Sequence, residues 1–114
     1  MYLFKNSNIR AQAGGDPHAQ RAAAGARFLD ERNPGWENRI NTETLSIASG
    51  SNCALGQVYG SYSRGLEATG TATQSASLGF AAFGGHGITV DEEYRLLTEA
   101  WRKEVQDRRS LVAV

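Results

Sequence analysis

The sequence predicts a mainly helical protein that folds as a compact all-α bundle. Three segments carry apolar residues at the three- and four-residue spacing of an amphipathic helix, and each begins near a residue type that caps helices. Glycine-rich loops separate these segments. We therefore expect three longer helices, over residues 17–32, 53–69 and 91–109, together with one or two short helices.

The first predicted helix begins at Asp16 and Pro17. Aspartate can cap the free amide groups of a first turn, and proline suits the first helical position because its missing N–H costs nothing there. The helix should end near Asn33, since the proline that follows disfavours helical geometry in the residue before it. A short helix over residues 34–40 then repeats the cap-then-proline pattern. The apolar stripe of the first helix comprises Ala22, Ala26 and Leu29.

The second long helix is predicted between the capping residue Asn52 and Gly70, which occupies the position of a C-terminal cap. The segment contains three glycines, and each costs up to about 1 kcal/mol relative to alanine inside a helix. We expect either the close approach of another helix or a break near residues 60–65 to account for them. The apolar stripe comprises Leu55, Val58, Tyr59, Tyr62 and Leu66.

The last predicted helix has the clearest start. Either Thr89 or Asp91 can cap it, and acidic residues crowd its first turn, where the helix dipole favours negative charge. Basic residues lie towards the other end, where positive charge is favoured. The apolar stripe comprises Tyr94, Leu97, Trp101 and Val105.

The 114 residues correspond to a single domain, which we assign to residues 16–110. Residues 1–15 begin with an apolar tetrad and are expected to form an arm that docks on the body, docks on a partner, or frays. Residues 111–114 form an apolar tail, which we expect to fold back onto the core. The alternative for the tail is a strand or hook offered to a partner.

Composition and charge narrow the classes of function. Lys and Arg total 12 and Asp and Glu total 12, so the formal net charge is zero. A protein that binds phosphates usually carries a positive surplus, so we regard binding of nucleic acid as an alternative that is not favoured. No apolar run approaches the roughly twenty residues of a membrane-spanning helix. The single cysteine, Cys53, fits a reducing compartment, and we expect a cytoplasmic protein.

Catalytic, metal and cofactor motifs are not recognisable in the sequence. His18, Cys53 and His86 occur singly, and none has the spacing of a metal site. The glycine-rich segment lacks the lysine of a phosphate-binding loop and the strand context of a dinucleotide site. We therefore expect no catalytic residue, no metal, no cofactor and no enzymatic activity. The alternative is an enzyme with Cys53 as nucleophile and His18 or His86 as base.

The glycine-rich loop over residues 79–87 is the first candidate binding surface. A loop of this composition most often connects elements, and its phenylalanines then pack into the core. As a binding surface it would instead display Phe80, Phe83 and His86. Gln57 projects only in part away from the apolar stripe of the second helix, so we include it among the candidate partner-binding residues.

The basic residues of the last helix alternate with acidic residues three or four positions away. That pattern is typical of a solvated helix face with supporting ion pairs. In the nucleic-acid alternative, this helix or a face containing Arg21, Arg27 and Arg32 would contact phosphates. Self-association through Gly56 and Gly60 of the second helix is a further alternative, and it is compatible with binding a protein partner.

Four short motifs identify a family that this sequence resembles. They are Gly-Trp-Glu-x-Arg-Ile at 35–40, Cys-Ala-Leu-Gly-Gln-Val-Tyr-Gly at 53–60, Leu-Gly-Phe at 78–80 and Leu-Thr-x-Ala-Trp-Arg at 97–102. In these motifs the chain resembles a group of small uncharacterised proteins of actinobacteria and of the phages that infect them. The resemblance covers about residues 22–109 and leaves out the arm and the tail.

The resemblance implies a biological context and no reaction. It implies a small accessory protein, encoded by a phage, that acts in the bacterial cytoplasm by binding a host protein and altering its behaviour. The neutral charge, the missing catalytic motifs and the apolar arm and tail favour the same class. We therefore expect a protein-binding accessory domain whose partner is a protein and which makes no contact with a membrane.

Overall fold

Helices form the regular structure of residues 16–84 and 87–113, which are the residues that this computed structural model describes. No strand occurs among them, so the predicted all-α fold is confirmed. The arm assigned to residues 1–15 lies outside this part of the chain. Short 3₁₀ helices occur at Trp36–Arg39 and Ala72–Gln74. The α-helices are α1 (Pro17–Arg32), α2 (Ala54–Tyr59), α3 (Tyr62–Thr69) and α4 (Val90–Ala113).

Helix α1 has the bounds that its local signals predict. The Asp16 carboxylate accepts a hydrogen bond from the backbone N–H of His18 at 2.9 Å, and Pro17 occupies the first helical position. At the other end, the backbone N–H of Asn33 donates to the Leu29 carbonyl at 2.8 Å. The buried face contains the predicted stripe and one glycine between its members: Ala22, Gly25, Ala26 and Leu29.

The single helix predicted over residues 53–69 is wrong, because the segment is broken into α2 and α3. Gly60 ends α2 with a φ of 104°, in a region that side-chain-bearing residues rarely adopt. Ser61 then caps α3, its hydroxyl accepting from the backbone N–H of Arg64 at 3.1 Å. The two helices fold against each other so closely that a Cβ on Gly65 would lie 2.6 Å from Cβ of Leu55. Gly60 therefore permits the break between the two helices, and Gly65 permits their close approach.

Helix α4 is longer than predicted at its carboxyl end. It begins at Val90, where the Thr89 hydroxyl accepts from the backbone N–H of Glu92 at 3.0 Å, and it continues to Ala113. Leu111 therefore lies on the helix and is 77% exposed, so the expectation that the tail folds back is wrong for this residue. Ion pairs four residues apart, such as Lys103 with Asp107, support the helix beyond its last core residue.

The core lies where α1 crosses α4, with two tryptophans at its centre. Trp101 stacks on Phe80 at a centroid distance of 5.6 Å, and Trp36 meets it edge-on at 5.7 Å. The Trp101 indole N–H donates to the Gly79 carbonyl at 2.7 Å. A Cβ on Gly25 would lie 2.6 Å from Cζ2 of Trp101, so only glycine lets the two helices approach this closely. The segment after Phe80 then runs to the amino-terminal end of α4, where the N–H groups of Phe83 and Gly84 donate to the Glu93 carboxylate.

Candidate functional site

The structure describes three of the four candidate partner-binding residues, and it places them in different surroundings. Phe80 is 2% exposed in the core, so its predicted display on the loop is wrong. Gln57 is half-buried and links two turns, since its carbonyl accepts from the Asn41 N–H at 2.6 Å and its amide donates to the Asn52 carbonyl at 2.9 Å. Phe83 is 55% exposed. His86 lies outside the described residues.

An exposed apolar surface surrounds Phe83. The described part of the chain has four large apolar side chains classed as exposed, and three of them fall within eight residues: Phe83 at 55%, Ile88 at 38% and Val90 at 47%. A Cβ on Gly84 would lie 3.8 Å from Cγ2 of Val90, so the two ends of segment 83–90 approach each other. We call Phe83, Ile88 and Val90 the loop patch. Apolar side chains concentrated in this way are typical of interaction surfaces.

Glu93 anchors the loop from below. Its side chain is 2% exposed, and one carboxylate oxygen accepts from the Phe83 N–H at 2.7 Å while the other accepts from the Gly84 N–H at 2.9 Å. These two donors are backbone groups, so the contact fixes the course of the chain directly. The carboxylate therefore holds the start of the loop patch against α4.

Arg21, on α1, completes this contact, and we call Glu93 and Arg21 together the anchor. Its guanidinium donates to the Glu93 carboxylate at 2.9 Å, to the Ala76 carbonyl at 2.8 Å and to the Ala81 carbonyl at 2.6 Å. The same guanidinium lies 4.3 Å from the centroid of the Phe83 ring, within the range of a cation–π contact. One side chain thus joins α1, α4 and the segment that leads into the loop.

The electrostatics of the anchor keep Glu93 ionised. Burial alone would raise the pKa of its carboxyl group, but the N–H groups of Phe83 and Gly84 and the Arg21 guanidinium outweigh that effect. The pKa is therefore lowered from 4.5 to about 2. The base of the loop is a satisfied charge pair, whereas its outer surface is apolar. No local pattern predicts this pair, because 72 residues separate its members.

Cys53 has the surroundings of a structural residue. Its side chain is buried at the start of α2, where the sulfur accepts a hydrogen bond from the Gly56 N–H at 3.2 Å. Burial raises the pKa of the thiol, which disfavours the nucleophilic thiolate. His18 lies at the start of α1 with its ring 3.3 Å from the Asp16 carboxylate. Among the described residues, the thiol makes no hydrogen bond to an imidazole.

Several basic side chains of the two long helices contact carboxylates and carbonyls. Arg32 donates to the Thr69 carbonyl at 3.2 Å, and Arg102 donates to the Thr42 carbonyl at 3.1 Å. Many of the cations that could contact phosphates already have acidic or carbonyl neighbours. The ion pairs of α4 join Arg95 to Glu92 and Glu99, Lys103 to Asp107, and Arg108 to Asp30 and Glu104.

Two shallow grooves flank α4, and both have charged walls. One, of about 380 Å³, lies between segment 45–48 and α4 and includes Asp91, Arg95 and Glu99. The other, of about 410 Å³, is more acidic and is lined by Asp30, Glu37, Glu104, Asp107, Arg108 and Leu111. In the described part of the chain, no three His, Cys, Asp or Glu side chains are placed to hold a metal ion. The loop patch differs from both grooves in being apolar and anchored.

Comparison with known proteins identifies no relative of this chain. No family model matches the chain, and the searches of curated proteins and of solved structures also found no match. The resemblance to the actinobacterial and phage proteins therefore stays a prediction. None of the helices in the described residues is sufficiently long and apolar to cross a bilayer.

Proposed function

We propose that this protein is a small accessory domain that binds a protein partner through the loop patch. The observation that carries the proposal is the combination of exposed apolar side chains with a buried anchor beneath them. A loop that is already held in place loses less conformational freedom on binding, so more of the contact energy appears as affinity. Aromatic residues, phenylalanine among them, are enriched at protein–protein interfaces, and Phe83 is one that the fold leaves exposed.

The predicted family supplies the context of the proposal. In that context the domain is encoded by a phage, acts in the cytoplasm of an actinobacterium, and binds a host protein whose behaviour it alters. No chemistry of its own is required for this function. The proposal is supported against nucleic-acid binding by the net charge of zero and by the ion pairing along α4.

The test is capture of the partner followed by measurement with variants. Tagged protein is incubated with an actinobacterial lysate, and a saturably captured protein is purified and titrated against the wild type. We expect Phe83→Ser and Ile88→Ser each to raise the dissociation constant about tenfold or more, because a central apolar contact contributes over 1 kcal/mol. Leu111→Ser is the matched control, since Leu111 is the remaining large apolar side chain that is exposed in the described part of the chain, and it lies at the other end of α4.

The outcomes separate the candidate surfaces. An unchanged affinity for Phe83→Ser and Ile88→Ser, with loss in Leu111→Ser, would move the interface to the acidic groove. An affinity unchanged from that of the wild type in all three variants would refute an apolar contact at either place. A shift of mixed DNA or RNA that weakens steeply as salt rises would favour the nucleic-acid alternative.

A further inference from the structure

The first of the two grooves beside α4 has apolar side chains between its charged ones. Segment 45–48 forms one wall, and it is held to α4 because the Ile47 N–H donates to the Thr98 hydroxyl at 2.9 Å. Leu45, which is 4% exposed, and the half-buried Tyr94 also line the groove. Both walls are therefore fixed to each other, and the groove of about 380 Å³ lies between them.

Opposite charges lie at the two ends of this groove. Asp91 is exposed at one end and belongs to no ion pair among the described residues. Arg102 is half-buried at the other end, where its Nε donates to the Thr42 carbonyl at 3.1 Å and no described carboxylate pairs with it. Between these ends, Arg95 and Glu99 pair with each other at 2.8 Å. We call it the dipolar groove, because a carboxylate and a guanidinium without charged partners face it from its two ends.

The spacing of the two charges fits an extended segment of chain. Arg102 follows Asp91 by eleven residues, which corresponds to a rise of about 16 Å along α4. An extended segment rises about 3.3 Å per residue and points alternate side chains to one side, so two charges four residues apart are separated by about 13 Å. Their long side chains span the remainder. A shallow groove encloses too little of a small molecule to hold it tightly, whereas a segment of chain can lie along its whole length.

The dipolar groove starts where the loop patch ends. Val90 belongs to the loop patch, and Asp91 is the next residue of α4. A partner segment whose apolar side chains cover Phe83 and Val90 therefore leads directly to the Asp91 carboxylate. The groove then favours a particular order of charges in that segment, with a cation first and an anion after it.

We propose that the dipolar groove binds an extended segment of a protein partner, with a basic side chain of that segment beside Asp91 and an acidic side chain beside Arg102. That an apolar part of the same segment covers the loop patch rests on the proposed function, whereas the order of charges in the groove does not. The order gives the contact a direction, because a segment with its charges exchanged would place like charges together at both ends.

The test uses two synthetic peptides with blocked termini and the isotope-labelled full chain, followed by NMR. The forward peptide is Phe-Leu-Lys-Ser-Thr-Ser-Glu, and the reversed peptide exchanges its lysine and glutamate, so both have the same composition and no net charge. We expect the forward peptide to bind about fivefold more tightly or better, because two favourable charge pairs replace two unfavourable ones. It should shift the amide signals of Ser46, Ala48 and Thr98. The Leu111 amide should not shift, since it lies about 30 Å along α4 from Asp91.

Variants separate the dipolar groove from the loop patch. Asp91→Lys should abolish the preference for the forward peptide, and adding Arg102→Glu should invert it. Asp91 is exposed, so the single variant keeps the test decisive if Arg102→Glu disturbs the fold. Asp107→Lys is the matched control, because it makes the same change of charge in the other groove beside α4 and should leave the preference intact. Phe83→Ser should weaken both peptides equally, so their ratio tests the groove and their absolute affinity tests the loop patch.

The outcomes are distinguishable from failure of the proposed function. Equal binding of the two peptides, tighter binding of the reversed peptide, or no binding of either would overturn the proposal. A preference that persists in Asp91→Lys would overturn it as well, and so would one that is lost in Asp107→Lys. An unchanged affinity in Phe83→Ser, with the preference intact, would refute the contact at the loop patch and support the dipolar groove alone.

Discussion

Two ion pairs join α1 to α4, and they differ in what surrounds them. Glu93 is buried beneath the loop patch, Arg21 is largely but not fully buried beside it, and four backbone groups complete their hydrogen bonding. Arg108 and Asp30 meet at 2.8 Å at the other end of both helices, where Asp30 is exposed to water. A buried pair is costly to break because its remaining member is left without solvent, whereas an exposed pair is readily replaced by water. The comparison indicates that the fold holds one end of α4 rigidly.

The two pairs also show how the helices are arranged. The contacts of Arg21 with Glu93, Gly25 with Trp101 and Asp30 with Arg108 follow the same order along both helices. Helices α1 and α4 therefore run in the same general direction and cross at the glycine. The loop patch lies at the end where both helices begin.

The largest effect is expected from Glu93→Gln. The change leaves Arg21 buried without a counter-charge and places an amide N–H group against a backbone donor, at a cost of about 3 kcal/mol. Unfolding in urea measures the loss, and hydrogen exchange should show faster exchange at the Phe83 and Gly84 amides. A loss no larger than that of Asp30→Asn would contradict the distinction between the two ends.

The second-largest effect is expected from acid, which should weaken the end of α4 that contains Glu93. The pKa of Glu93 is lowered from 4.5 to about 2, so its contribution is present above the unfolded value and is lost as pH falls from about 4.5 towards 2. The loss amounts to about 3 kcal/mol at most. The titration of the Glu93 carboxyl carbon by NMR gives the midpoint directly. A midpoint above 4 would mean that the carboxylate is not held by its donors in solution.

The helix crossing should be sensitive to a single methyl group. Gly25→Ala would place Cβ 2.0 Å from the Leu78 carbonyl oxygen, and we expect the unfolding free energy to fall by about 2 kcal/mol despite the better helix propensity of alanine. Gly50→Ala is the control, because beyond its own residue and its two chain neighbours no atom lies within 4 Å of the added Cβ. Similar stabilities of the two variants would show that the helices separate easily at the crossing.

The helix boundaries show which features of the fold can be predicted from the sequence alone. The bounds of α1 are local, since the Asp16 cap and the residues near Asn33 lie next to the helix they delimit. The break between α2 and α3 has local signals too, in Gly60 and the capping Ser61. The apolar spacing continues across that break, and it favoured one helix over two. Periodicity reports which side chains face the core, and it does not report whether the backbone between them is continuous.

The candidate site could not be predicted from local sequence signals, because it depends on contacts between residues far apart in the chain. Phe80 and Phe83 are three residues apart in one glycine-rich segment, yet one is buried on Trp101 and the other is exposed over Arg21. Their different positions follow from the hydrogen bonds of Glu93 and Arg21, which are distant from each other in sequence. The loop itself was predictable from its composition. Which of its residues face solvent was not.

The smallest effect is expected at the exposed pair. Asp30→Asn removes the charge that meets Arg108 but keeps an oxygen that can accept from the Trp36 indole N–H, which lies 2.9 Å from the carboxylate. The Arg108 guanidinium lowers the pKa of Asp30, yet water screens the pair, so the cost should stay below about 1 kcal/mol. Added salt should reduce the difference from the wild type still further. A loss of several kcal/mol that persists at high salt would show that both ends of α4 are held equally firmly, and the loop patch would then have no special rigidity to explain its use as a binding surface.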